Sequence, residues 1–446
     1  MGESYPRLPA GFVFGASTAS YQIEGAWDED GKGLSIWDTF AAEPGKVIDG
    51  SDGKVACDHY HRYVDDVALM KRLGIGAYRF SIGWPRIQPD GTGPANTAGL
   101  DFYDRLVDEL VGAGIEPMAT LFHWDLPQAL QDAGGWENRA TAEAFGEYAA
   151  LCAARLGDRV GKWAPVNEPN VVMLLGHGNG EHAPGKKLGF NAVPVAHHLN
   201  LAHGLAVQAL RANGAKEIGA ATNHVPVWEA SDAAQDVAAR DLFDALWNRI
   251  FADPMLLGEY PRGHDENWAE VMPIQDGDLA TIAQPLDFYG FNYYNPSRIS
   301  AAKEGAEVPF VMEDIPGYPK TGFGWPIVPE GMHQVIGQLV ERYPDIPPIY
   351  ITENGCAYPT GPDENGVVDD QERIDYLDAH LRAVAHAIDD GADVRGYYTW
   401  SLMDNFEWAR GYTQRFGLVH IDYDTLVRTP KRSFDWYSEV IAANRA

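Results

Sequence analysis

Eight times along this 446-residue chain, a short apolar, β-rich run gives way to a segment with helical periodicity. The runs span 11–17, 76–82, 115–123, 162–166, 218–223, 286–292, 348–352 and 394–400. In one intervening segment Tyr63, Val67, Met70 and Leu73 fall on one face; in another Ile374, Leu377, Leu381, Val384 and Ile388 do the same. Alternating strand and helix predicts parallel strands, because a parallel pair needs a crossover between its members. Strands that are apolar throughout predict a sheet covered on both faces. Eight such units predict an α/β fold of the (β/α)8 TIM barrel type. The alternative is an open doubly wound sheet. It calls for a Gly-rich phosphate loop after an early strand, and neither G-x-G-x-x-G nor a Walker pattern occurs.

Loop lengths favour the barrel. Helix-to-strand links are tight, as in Leu73-Gly74-Ile75-Gly76 and Gly112-Ala113-Gly114. Strand-to-helix links, at 18–59, 169–194, 295–330 and 404–431, are long and rich in Gly, Pro and aromatics. Long loops at the C-terminal ends of barrel strands are where such folds build sites. The segment after Pro254 departs from the pattern. No linker divides the chain, so 1–446 is expected to form a single barrel domain.

Charge narrows the partners. The chain carries 64 acidic and 34 basic residues, net −30, which disfavours nucleic acid and anionic membranes. No apolar run is long enough for a membrane span, and the first residues lack a signal-peptide pattern. Cys57, Cys152 and Cys356 have no zinc or redox spacing. The one Asn-x-Ser/Thr match, at Asn295, carries a disqualifying proline. Together these predict a cytoplasmic protein.

Several runs end in polar residues that a buried strand would not choose. These are Gln22 and Glu24, His123-Trp124-Asp125, Asn167-Glu168, Asn292-Tyr293-Tyr294, Glu353-Asn354, and the stretch Trp400, Asp404, Glu407 and Trp408. In a closed barrel all of them meet on one rim.

On these motifs, over nearly its whole length, the chain resembles glycoside hydrolase family 1, the β-glucosidase family. Residues 12–25 (FVFGASTASYQIEG) fit the family's opening signature and 78–87 (YRFSIGWPRI) its second strand. Asn167-Glu168-Pro169 and Ile351-Thr352-Glu353-Asn354-Gly355 fit its two catalytic motifs, and 400–408 (WSLMDNFEW) its sugar-reading motif. Each short motif alone is weak; all in this order, each at a strand end, are specific.

The resemblance implies a retaining exo-β-glucosidase with Glu168 as acid/base and Glu353 as nucleophile. Glycoside cleavage with retention needs one carboxyl to protonate the leaving oxygen and another to attack from the opposite face. Glu168 should therefore hold its proton at working pH, raised by an apolar setting and by Glu353. Glu353 should stay ionised beside Arg79 and Tyr294. The resemblance further assigns Gln22, His123, Asn167 and Glu407 to sugar hydroxyls and Trp400 and Trp408 to the sugar-binding wall. Trp124 and Asn292 are expected beside them, and a cis bond at Trp400–Ser401. On the aglycone side Trp325 leads, with Phe416, His177 and Asn223 as further candidates.

A carboxylate at Glu407 would repel the phosphate of 6-phosphorylated sugars, which relatives bind with a Ser and Lys arrangement there. Thioglucoside-cleaving relatives lack the acid glutamate, and Glu168 is present. β-Galactosidase and β-fucosidase side activities are expected. The expected partner is a small neutral β-glucoside or cello-oligosaccharide; whether the chain is a monomer or a homo-oligomer stays open. No cofactor or metal is expected, since His59-x-His61 and His197-His198…His203 lie away from the strand ends. A non-catalytic glycan-binding barrel, a transglycosylase and a metal-dependent hydrolase are the competing readings. Two positions depart from the family: Pro165, where Thr is common, and Cys356, where a small residue is usual. Pro165 predicts imperfect pairing of the fourth strand.

Overall fold

The computed structural model describes residues 5–262, 268–306 and 308–445. Eight parallel strands close into a barrel. They are β1 (Val13–Ser17), β2 (Ala77–Ser81), β3 (Glu116–Phe122), β4 (Lys162–Val166), β5 (Glu217–Asn223), β6 (Phe288–Asn292), β7 (Ile349–Asn354) and β8 (Val394–Trp400). Each coincides with one of the eight expected runs, trimmed or extended by a residue or two. Each strand pairs with its neighbours in chain order, and β1 closes the ring on β8 with Val13 opposite Gly396 and Ser17 opposite Trp400.

The barrel is packed, not hollow. Ala77, Met118, Ala164, Ala221, Phe288, Tyr350 and Tyr398 fill one interior layer. Small residues on some strands admit large ones from others: a Cβ on Gly15 would collide with the Tyr398 ring. At the opposite end from the site, Lys162 Nζ joins Glu116 Oε1 at 2.6 Å and Glu217 Oε2 at 3.2 Å, tying β3, β4 and β5 together.

Helices cover the outside. On α1 (His59–Leu73), Val67, Met70 and Leu73 are buried. On α2 (Gln371–Asp389), Ile374, Leu377, Leu381 and Val384 are buried, as the spacing predicts, whereas Ile388 is half-buried at the last turn. The segment after Pro254 starts within a helix, Ile250–Leu256, and carries short helices at Trp268–Val271 and Asp278–Ile282 before β6. The long loops also raise a small sheet of Val227–Glu229, Ser297–Ala301 and Phe310–Glu313, which the sequence pattern did not disclose. No helix among the described residues is long and apolar enough to cross a membrane.

Pro165 has its expected effect. Pairing of β3 with β4 skips the proline, with Thr120 opposite Ala164 and Phe122 opposite Val166. Pairing of β4 with β5 stops after Trp163–Ile218 and resumes only at Asn167 opposite Ala221. The missing N–H opens the ladder just before the site.

Candidate active site

The strand-end residues singled out in the sequence stand at the C-terminal ends of barrel strands or in the segments that follow them. The chemistry begins with Glu353, buried near the end of β7. Arg79, from β2, places Nη1 2.6 Å from Glu353 Oε1. Tyr294, two residues beyond β6, donates to Glu353 Oε2 at 2.7 Å. Burial pushes the Glu353 carboxyl up, and Arg79 and Tyr294 oppose that rise by stabilising its charge. The guanidinium is itself fixed by Thr120 Oγ1 at 3.0 Å, the Thr352 carbonyl at 3.2 Å and Asn167 Oδ1 at 2.6 Å.

Glu168 stands two residues beyond β4, with φ of 45°, a left-handed conformation rare for a residue with a side chain. Its Oε1 accepts from Asn223 Nδ2 at 2.9 Å and Asn292 Nδ2 at 2.8 Å. Both donors are neutral. Burial first, and then the negative charge of Glu353, push Glu168 up to about 7. The two glutamates thus sit in one cup with unequal support: a cation and a phenol on one, two amides on the other.

Neighbouring residues fix the orientation of each amide. Asn292 Oδ1 accepts from Thr352 Oγ1 at 2.6 Å, so its Nδ2 faces Glu168. Asn223 Oδ1 accepts from Trp247 Nε1 at 3.0 Å, so its Nδ2 faces Glu168 as well. Asn167 Oδ1 accepts from Arg79 and from Asn292, which turns its Nδ2 towards His123 Nε2 at 3.1 Å. His123 Nε2 must then accept, so the ring proton sits on Nδ1. Burial holds this imidazole well below its ordinary value and keeps it neutral. Among the described residues His123 Nδ1 and Gln22 Oε1 are both buried without a hydrogen-bond partner, one donor and one acceptor left for a ligand.

An aromatic nest surrounds these polar atoms. Trp408 lies 4.6 Å from Trp37 and 4.7 Å from Trp124 between ring centres, and stacks at 9° on Tyr21. His123 lies between Trp400 and Trp408, nearly parallel to both. Trp124 (φ 77°) and Trp408 (φ 50°) share the left-handed geometry of Glu168. Such conformations cost roughly 1–3 kcal/mol each and persist where packing over-determines them. The Trp400–Ser401 bond is cis, as the resemblance implied. Gly355 lets β7 pass beside it: a Cβ there would overlap the Trp400 carbonyl. Among the described residues Glu407 receives one long side-chain contact, 3.4 Å, from Gln22 Nε2; burial and the two glutamates push it up to about 8.

On the outer wall Trp325 lies 5.2 Å from the Tyr294 ring and 6.1 Å from Phe416. Phe416 is buried behind it and supports that wall. Two aglycone candidates take other places. Asn223 is a partner of Glu168, and His177 is fully buried, its Nδ1 bonded to the Val172 carbonyl of its own loop. Other polar strand-end residues serve the framework: Glu24 pairs with Arg86, Asp404 pairs with Lys431 and Arg415, and Asn354 donates to the Tyr293 carbonyl while accepting from the Tyr397 hydroxyl. Thr120, Thr352 and Trp247 were not foreseen. Thr352 lay in the quoted motif, but nothing in the sequence marked Trp247.

Comparison with known proteins gives the same picture. The family model described as glycosyl hydrolase family 1 matches residues 4–446. A β-glucosidase of an Agrobacterium species is 48% identical over 97% of this chain and 95% of its own length. A bifunctional β-D-glucosidase/β-D-fucosidase of Bifidobacterium breve is 44% identical over 98% of this chain and 99% of its own. Among solved structures, the family 1 β-glucosidase of Thermotoga maritima superposes with a TM-score of 0.95 at 43% identity, covering 99% of both chains. Because the family match takes in every strand and loop that builds the cup, this chain belongs to glycosyl hydrolase family 1.

Proposed function

We propose that this enzyme is a retaining, exo-acting β-glucosidase that removes terminal β-D-glucosyl units from oligosaccharides and aryl or alkyl glucosides. Its relatives are β-glucosidases, and hydrolysis with retention is the chemistry of the family. One observation carries the assignment of roles: Glu353 holds a cation and a phenol, while Glu168 holds two neutral amides and is pushed up to about 7.

In this reading Glu168 gives its proton to the glycosidic oxygen as the bond to C1 breaks. The aglycone leaves as an alcohol, and a Glu353 oxygen bonds to C1 to form a glycosyl ester. Water then enters; Glu168 removes its proton as the oxygen attacks C1, and Glu353 leaves as a carboxylate. The second proton transfer restores the first state. Asn167 serves the 2-hydroxyl, where hydrogen bonding strengthens in the transition state. Gln22, His123 and Glu407 hold the remaining hydroxyls, Trp400 and Trp408 the ring, and Trp325 the aglycone. The unpartnered Gln22 Oε1 and His123 Nδ1 support that role.

The chain acts as one catalytic domain on small neutral glucosides and cello-oligosaccharides, as monomer or homo-oligomer, with the cytoplasm as its place. The fucosidase activity in the name of the Bifidobacterium relative supports β-fucosidase side activity here. The test is kcat/KM on nitrophenyl β-glucoside, β-galactoside, β-fucoside, α-glucoside and 6-phospho-β-glucoside. The β-glucoside or β-fucoside should lead, with the α and phosphorylated substrates inert. A lead by the phosphorylated substrate would overturn the reading of Glu407.

A further inference from the structure

Behind the aromatic nest lies a small cavity whose lining includes Tyr21, Glu24, Lys32, Asp38, Arg86 and Asp125. The volume open to the centre of a water-sized sphere is about 10 Å³. That is room for one water-sized occupant. Three lining residues each carry a buried oxygen with no well-aligned hydrogen-bond partner among the described residues: Tyr21 Oη, Asp38 Oδ1 and Asp125 Oδ1. The residues are only 6%, 6% and 3% exposed. Orphaned buried oxygens are costly, and three on one cavity call for an occupant that satisfies them together.

Their partnered atoms show how firmly each is held. Asp38 Oδ2 takes Lys32 Nζ at 3.0 Å and closes a helix cap with Ser35. Asp125 Oδ2 accepts from Ser20 Oγ at 2.8 Å. Charge disfavours a third cation: Lys32 answers Asp38, Arg86 answers Glu24 at 3.0 Å, and burial pushes Asp125 up to about 7. The occupant must be neutral, the size of one water, and able both to donate and to accept.

We propose that this cavity is a binding site for one ordered water molecule that joins Tyr21 Oη, Asp38 Oδ1 and Asp125 Oδ1, and so positions Trp408. Water has two donors and two acceptors, enough for a phenol and two carboxyl oxygens in either protonation state of Asp125. Each joined residue is bound to the packing around Trp408. Tyr21 stacks on it; Asp38 follows Trp37, which packs at 4.6 Å; Asp125 follows Trp124, which packs at 4.7 Å. Three segments from three parts of the chain are thereby locked behind one wall of the cup. Tyr21, Asp38 and Asp125 are positioning residues, acting through that wall.

The test has two parts, and only the second rests on the glucosidase reading. A high-resolution crystal structure, with a parallel soak in thallium(I), should show one spherical peak within about 2.6–3.0 Å of the three oxygens and no anomalous signal. A thallium peak would replace the water by a cation, and oxygens re-paired with protein groups around an unfilled cavity would remove the site. Kinetically, Tyr21→Phe keeps the ring and deletes the hydroxyl. Its KM for nitrophenyl β-glucoside should rise about fivefold, the worth of one hydrogen bond, with kcat within about twofold. An unchanged KM, or a fall in kcat alone, would overturn the positioning role even with the water in place. If no glycoside is turned over, the electron density still decides the site.

Discussion

Arg79 holds Glu353 through Nη1 at 2.6 Å and Asn167 through Nη2 at 2.6 Å, so one guanidinium links the proposed nucleophile to the residue next to the proposed acid. The path continues from Asn167 through Asn292 to Glu168. Any change in one carboxyl's charge is therefore felt by the other through fixed dipoles as well as through space.

This arrangement sets the pH profile of kcat/KM. The first step needs Glu168 protonated, so activity should fall as pH rises through about 7. It also needs Glu353 ionised, so activity should fall on the acid side as Glu353 takes up a proton. The profile is a bell, and its two limbs belong to the coupled pair. Glu168→Ala should abolish the alkaline limb for an activated aryl glucoside; an alkaline limb unchanged in that variant would refute the assignment.

Glu353→Gln keeps the shape of the side chain and removes the attacking oxygen. Turnover should fall on the order of 10⁴-fold or more, in line with loss of other nucleophiles. A protein that stays folded by circular dichroism yet keeps more than a hundredth of its activity would argue for a different nucleophile.

Arg79→Lys separates charge from geometry. Lysine keeps the cation but cannot reach Glu353, Asn167, Thr120 and the Thr352 carbonyl together. The acid limb should move to higher pH because the Glu353 carboxylate loses support. An acid limb that stays in place would show that Tyr294 suffices.

Lys431→Met tests the framework under the last loop. Lys431 Nζ lies 2.7 Å from Asp404 Oδ1, both fully buried, and Asp404 also takes Arg415 at 2.9 Å. Breaking a buried pair typically costs about 3–5 kcal/mol. The ion pairs hold Asp404 below the usual carboxylate range, so its contribution is present at neutral pH and lost on acidification. The melting difference between wild type and variant should be full near pH 7 and shrink as pH falls through the carboxylate range. A difference that does not vary with pH would point to packing alone.

Most of the barrel was legible because its strands are short apolar runs set between amphipathic helices, a pattern that burial on both faces enforces. The polar strand ends were legible for the complementary reason: Glu168 and Glu353 stand where a buried strand has no use for charge. Two kinds of information stayed hidden. Asn223 closes the fifth strand and His177 follows the fourth, both reading only as polar residues near the mouth, and three-dimensional packing alone shows that one serves Glu168 and the other its own backbone. The sheet of Val227–Glu229, Ser297–Ala301 and Phe310–Glu313 joins segments far apart in the chain, and its last strand is mostly exposed, so it leaves little alternating pattern.

The pairing of β1 with β8 has a consequence for how the molecule is made. Val13 cannot meet Gly396 until nearly the whole chain has left the ribosome. At about 5–20 residues per second, the first strand waits roughly 20–75 s for its partner. Throughout that interval β1 is an open edge, a template for wrong pairing. Trp400, Glu407 and Trp408 emerge after Glu168 and Glu353, so the nascent barrel has both glutamates before it has a complete sugar cup. Closure of the ring and completion of the sugar cup are therefore late steps that come together, after both glutamates have been made.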